Sequence, residues 1–149
     1  MSDHFLPGVH ALQLAELVGR WNVTPEKLLR PLGLSAETLA DPRSRLSIAT
    51  VEKLATRARA LTGEPALGIF LGMSMRASAH GYLGLMAMNA ATVGEALELA
   101  ARFTPTRTSA LALHLHREGD TASLVLEERA NLGAALEPIV ARARKDLNA

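Results

Sequence analysis

At residues 111–126 the hydrophobic period of this chain changes from 3.6 residues to 2. Leu111, Leu113 and Leu115 alternate with Ala112, His114 and His116. Gly119-Asp120 then supplies a two-residue turn with glycine first, and Leu124 and Leu126 resume the alternation. This pattern predicts one β-hairpin. A lone hairpin is marginal in water, so it needs a helix beneath it, more strands, or another chain. The free edges of such a sheet are its natural pairing surface.

The rest of the periodic sequence reads as helix. Residues 9–21 place Leu14, Leu17, Val18 and Trp21 on one face. Thr24-Pro25-Glu26 starts a second helix that carries Leu28, Leu29 and Leu32 and stops at Gly33. Ser35 opens a short one, ended by Asp41-Pro42. Ser47 caps a longer one that runs to Thr62 and Gly63, with Ile48, Val51, Leu54, Ala55, Ala58 and Leu61 inward. Pro65 begins a helix in which Gly68 and Gly72 share a face and imply a close neighbour. Thr92 and Glu95 form a capping box ahead of a helix with Val93, Ala96, Leu97 and Ala100 inward. Residues 132–147 read as a last helix, with Leu136, Ile139, Val140, Ala143 and Leu147 inward. Ala and Leu, 26 residues each, favour helix throughout. The expected fold is therefore α+β in a single domain, 1–149. It is predominantly helical with one antiparallel hairpin near the C-terminal end, the sheet being incomplete or completed by a partner chain.

Charge and motifs narrow the function. Sixteen Lys and Arg against 15 Asp and Glu give +1, evenly spread, where a DNA-gripping domain concentrates basic residues. There is no cysteine, hence no thiolate nucleophile and no cysteine metal site. No signal peptide and no run of about 20 apolar residues is present, so a cytoplasmic location is expected. Nucleophile-elbow, phosphate-loop and zinc-protease motifs are all missing, so no catalysis is expected. Gly81 and Gly84 lack the third glycine and the preceding strand of a dinucleotide site. Adjacent Glu127 and Glu128 point to opposite strand faces and form no carboxylate pair. His114 and His116 share a strand face without a third ligand and read as solvent-facing histidines; no metal is expected. His4 and His10 carry less weight still.

Two segments remain. Residues 25–40 have the outline of a helix-turn-helix, but Glu37, Thr38 and Asp41 suit phosphate poorly, so a pair of packing helices is the better reading. Residues 77–88 set His80, Tyr82, Met86 and Met88 among small side chains. That composition fits either core or the wall of a small pocket.

The succession His80-Gly-Tyr-Leu-Gly-Leu-Met-Ala-Met88, Ala91-Thr-Val-Gly-Glu-Ala-Leu-Glu-Leu99 and Arg102-Phe103 resembles the N-terminal effector domain of AraC-type transcription regulators. It is closest to the subgroup with an arabinose-binding-like domain. Leu32-Gly-Leu-Ser35, Asp41-Pro42-Arg43, Leu46-Ser-Ile-Ala-Thr50 and Glu128-Arg129 share the likeness, which covers residues 9–145. The resemblance implies ligand sensing and dimerisation here, with DNA bound only through a C-terminal domain absent from this sequence. Members run to about twice this length, so a chain cut before the DNA-binding half is expected. His80, Tyr82, Met86, Met88, Arg102 and Phe103 are the candidate ligand residues. Leu111, Leu113, Leu115, Leu124 and Leu126 are the candidate pairing residues of a homodimer. Few aromatics and amides argue against a sugar. An apolar or carboxylate-bearing effector, met by Arg76, Arg102 or Arg107, is expected. No cofactor is implied. The alternatives are a stand-alone interaction module forming mixed dimers with a full-length regulator, and direct DNA binding through residues 25–40.

Overall fold

The computed structural model describes residues 4–133. Among them are seven α-helices and two two-stranded sheets, an α+β architecture dominated by helix. Among the described residues two compact units are formed: residues 6–75 with 132–133, and residues 4–5 with 76–131. The helix expected over residues 132–147 lies, beyond Gly133, outside the described residues.

The first unit holds β1 (Phe5–Pro7, from Leu6 on), α1 (Gly8–Leu17), α2 (Pro25–Leu29), α3 (Ala36–Ala40), β2 (Arg45–Ser47), α4 (Ile48–Thr62) and α5 (Leu67–Ser74), with β1 paired to β2. Its start signals act as read. Thr24 Oγ1 accepts from Lys27 N, and Ser47 Oγ accepts from Thr50 N at 3.2 Å. Ser35 and Thr38 cap each other reciprocally. The first helix is shorter than its apolar spacing predicts: after Leu17 the chain tightens into a 3-10 turn, Val18–Trp21, and Asn22 turns left-handed. The helix after Pro65 likewise starts late, at Leu67, because Glu64 Oε1 accepts from Ala66 N at 2.8 Å and holds a turn there.

The core of this unit is one continuous cluster in which Val18, Leu28, Leu29, Leu39 and Leu54 are almost fully buried. Each such side chain contributes roughly 1.5–3 kcal/mol by leaving water. Trp21 meets Phe70 edge to face, with ring centroids 5.4 Å apart. Gly68 and Gly72 are both buried on α5, which packs on α1. In α4, Leu54, Ala55 and Ala58 are buried while Ile48, Val51 and Leu61 are half-buried, as the stripe predicts.

The second unit is built differently. It holds a 3-10 turn (Ala77–His80), α6 (Tyr82–Met88), α7 (Val93–Phe103), β3 (Leu111–Glu118) and β4 (Thr121–Glu128). Its buried residues are small or polar: Gly84, Thr104, Thr108, Ala110 and Ala112, with Leu111 the one large side chain. No residue of α7 is buried. Ala96, Leu97 and Ala100 are half-buried, but Val93, expected inward, is 65% exposed; among the described residues the Arg117 guanidinium reaches the first turn, and it lies at Gly94. The capping box is also modified. Thr92 Oγ1 accepts from Glu95 N, yet the Glu95 carboxylate reaches one residue further back and accepts from Ala91 N at 2.7 Å.

β3 and β4 pair antiparallel in the register the alternation predicts, with Leu113 opposite Leu126 and Leu115 opposite Leu124. Gly119 takes φ +55° while Asp120 keeps a negative φ, as a type II′ turn requires. α7 packs against β3, and Arg117 at the end of β3 holds Glu98 of α7 at 2.7 Å. Among the described residues β4 has no strand partner except β3.

Candidate functional site

Two glycines shape the segment that opens the second unit. Gly81 sits at φ +60°, ψ −136°, a conformation open to glycine and strained for any side chain. It reverses the chain after the 3-10 turn so that α6 folds back over it. Gly84, one turn into α6, then lies against the carbonyl of Ala77: a Cβ there would sit 1.7 Å from that oxygen. The Gly81–Gly84 spacing is thus a turn plus a close approach of backbones, and this explains why it lacks the features of a phosphate cradle.

The fold-back turns the large side chains of α6 outward. Tyr82 is 86% exposed, Met88 64%, Leu85 48% and Met86 38%. Tyr82, Leu85 and Met86 are spaced i, i+3, i+4 and form one apolar stripe. His80 is half-buried and engaged with a partner. The half-buried Arg107, just past the end of α7, brings Nη1 to 3.8 Å from the position a Cβ on Gly81 would take. Its guanidinium therefore lies beside the backbone between His80 and Tyr82. Arg102 is placed otherwise, its guanidinium 5.3 Å from the centroid of the Phe103 ring. Arg76 is exposed at the N-cap of the 3-10 turn. Of the three arginines considered for a carboxylate, Arg107 is the one whose guanidinium reaches Gly81, while Arg76 adjoins the segment at its start.

The hairpin has two unlike faces. On one, Leu111 is buried and Leu113, Leu115, Leu124 and Leu126 are half-buried. On the other, His114 and His116 are exposed with Val125 at 46%. His114 Nε2 lies 2.7 Å from Glu127 Oε2, and Arg129 Nη2 lies 3.6 Å from the same oxygen. The hydrogen bond from His114 first, then the charge of Arg129, hold the Glu127 carboxyl below the usual carboxylate range. Glu128 points to the other face, as strand alternation requires. Among the described residues no three His, Asp or Glu come together in a way that would hold a metal ion, and no helix is long and apolar enough to cross a membrane.

Sequence reasoning missed one contact. His4 Nδ1 bonds Ser109 O at 2.9 Å, and Thr108 Oγ1 donates to Phe5 O at 2.6 Å while accepting from Ala110 N at 3.0 Å. These bonds tie the start of the chain to the segment leading into β3. The only signal was a Thr-Ser pair before a strand, which many turns share.

In residues 25–40, α2 and α3 pack on α1, and Leu39 is buried while Glu37, Thr38 and Asp41 are exposed. The α3 segment is five residues long, and the Thr38 hydroxyl is occupied in its own cap. The Arg43 backbone N–H, 2.8 Å from Asp41 Oδ1, and then its guanidinium keep the Asp41 carboxyl low.

Comparison with known proteins adds two findings. Residues 23–144 match the family described as the arabinose-binding domain of AraC transcription regulator, N-terminal. The chain is also 35% identical over 130 residues to an ornithine utilization regulator of Pseudomonas aeruginosa. That match takes in 87% of this chain and 38% of the relative, so the chain spans well under half the relative's length.

Proposed function

Because the chain belongs to the arabinose-binding domain family of AraC-type transcription regulators, it is a regulatory domain and not an enzyme, and we propose that it binds a small carboxylate-bearing effector at the Tyr82–Met88 face. The observation that carries this reading is the placement of Arg107. One guanidinium stands beside Gly81, the residue from which the exposed stripe of Tyr82, Leu85 and Met86 begins. Apolar walls with a few orienting polar groups are the usual make-up of a ligand site, and a guanidinium is the side chain best matched to a carboxylate. The relative is named for ornithine utilization. Ornithine carries a carboxylate, the group a guanidinium holds best, together with two ammonium groups that this face does not itself neutralise. Sugar sites want stacked aromatics and several amides, and this face offers a single tyrosine.

On this reading the domain acts as a homodimer, and the DNA contacts belong to the remainder of a longer polypeptide. An effector that favours one arrangement of the dimer biases how the DNA-binding parts are presented, by as much as its affinities for the two arrangements differ.

A thermal-shift panel of amino acids (ornithine included), fatty acids, aromatic acids and sugars tests the proposal. A ligand at 100 times its Kd adds about 2.7 kcal/mol of stability. A shift from a carboxylate ligand that is lost in Arg107→Ala and kept in Arg102→Ala is the expected result. Hits confined to sugars, or a carboxylate response indifferent to Arg107→Ala, overturn it.

A further inference from the structure

We propose that a second copy of this chain pairs along the outer edge of β4, antiparallel, about a two-fold axis through Val125. The inference rests on the dimer reading above and goes further by naming the strand, the register and the residue on the axis.

The choice of edge follows from what borders each strand. β3 has α7 packed against it and its Arg117 engaged with Glu98. Among the described residues neither strand has a strand partner but the other, and no helix packs on β4 as α7 does on β3. Because the turn has two residues, its flanking pair, Glu118 and Thr121, is a hydrogen-bonded pair. Alternation from there directs the N–H and C=O of Thr121, Ser123, Val125 and Glu127 toward β3. Those of Ala122, Leu124 and Leu126 point toward the outer edge. Such a row is a template for another strand.

The register follows from symmetry and charge. Residues directly opposed across an antiparallel pair share a face, so a two-fold axis perpendicular to the sheet must pass through a residue and not between two. Two registers then overlap seven residues of β4 with its copy. Centred on Leu124, the copy's Glu128 falls opposite Asp120, two like-charge pairs per dimer, and Leu126 faces only Ala122. Centred on Val125, Leu124 faces Leu126 of the copy, Val125 faces itself, and Ser123 and Ala122 meet Glu127 and Glu128. No like charges oppose each other. The leucine faces of the two hairpins join into one layer, and Val125, 46% exposed here, meets its symmetry mate on the other face. The equivalent seven-residue registers of β3 fail. One opposes His114 to itself and Leu111 to Arg117; the other opposes His114 to His116 and Leu113 to Arg117.

The chain contains no cysteine, so one introduced thiol reports its own neighbourhood. Opposed residues at a non-hydrogen-bonded position have Cα atoms about 4.5 Å apart, within the range a disulfide spans. Val125→Cys in the 149-residue chain should therefore cross-link quantitatively under mild oxidation. His114→Cys on β3, the partner of Val125, would lie about three strand spacings, roughly 14 Å, from its mate and should not. Sedimentation of the unmodified chain should show a dimer, and Val125→Lys, which opposes two ammonium groups on the axis, should weaken it on the order of tenfold. A dimer in which His114→Cys cross-links and Val125→Cys does not overturns the edge assignment and leaves the dimer reading intact. A monomer at every concentration overturns both, and the effector reading stays with the thermal-shift panel.

Discussion

Replacing Gly84 by alanine separates two opposing effects of known size. In a helix interior the change should stabilise by about 1 kcal/mol, since alanine loses less backbone entropy than glycine. Here the new Cβ would sit 1.7 Å from Ala77 O, 2.6 Å from Ala77 C and 3.3 Å from Ser78 N. All three are backbone atoms of the 3-10 turn, so no side chain can swing away. To restore ordinary contact the turn must retreat from α6 by well over an ångström. Overpacking of that kind costs about 1–3 kcal/mol at sites that can relax, and this one has backbone on both sides. A net loss of ~2 kcal/mol is expected, which for a chain of this size lowers Tm by about 4–8 °C. The control is Gly19→Ala, where a Cβ meets nothing within 4 Å. The assay is thermal melting followed by far-UV circular dichroism, with amide exchange across residues 77–88 locating the damage. If Gly84→Ala melts at or above the parent temperature, the proposed close approach of α6 and the turn is wrong.

Two further outcomes follow from the packing and the electrostatics. Leu54→Ala empties a site 1% exposed in the middle of the first unit's core and should cost about 2–5 kcal/mol by urea denaturation. A loss under 1 kcal/mol would mean that the helices close over the gap. For Glu127, whose folded pKa lies below its unfolded value, the linked stability is present above the unfolded pKa and is lost as pH falls through the folded one. The carboxyl is solvent-exposed, so the readout is its own NMR titration and not global stability. The midpoint should lie below the ordinary glutamate value and move back up in His114→Ala; an unchanged midpoint would remove the histidine as the main cause.

The parts of this fold that were legible in the sequence are those set by local chemistry. Thr24, Ser35 and Ser47 cap helices because their hydroxyls reach an amide three residues on, and the Gly119-Asp120 turn fixes the hairpin register by itself. Period alone predicted which residues of α4 turn inward. What it misjudged was set by the neighbour and not by the residue. Val93 has the spacing of a core position but stays 65% exposed among the described residues, and the Glu95 carboxylate bonds Ala91 because the chain before α7 presents that amide. The Gly84 contact needs a backbone seven residues earlier in the chain, and nothing in the spacing of Gly81 and Gly84 reveals it. Arg107 was one of three arginines on equal terms until the fold placed it beside Gly81.

The contrast between the two units bears on how a sensor of this kind works. Residues 6–75 bury a continuous cluster of large aliphatic side chains, while residues 76–131 bury mostly glycine, alanine and threonine and leave Tyr82, Leu85, Met86, Met88, Val93 and Val125 exposed. A unit with so few buried large side chains has little stability of its own, and the segments that respond to ligands come from the low end of that scale. An effector at 100 times its Kd supplies about 2.7 kcal/mol, comparable to burying one leucine. In the first unit that is a small increment on a core of many such residues. In the second it rivals the contribution of Leu111, the one large side chain buried there, so the same binding energy can shift the population of α6 and the hairpin substantially. If this is right, amide exchange with and without a bound effector should slow across residues 77–128 by one to two orders of magnitude and leave α4 nearly unchanged. Uniform protection of both units would instead mean that the ligand stabilises the whole chain as one cooperative body, and the sensing role assigned to the thinner unit would fail.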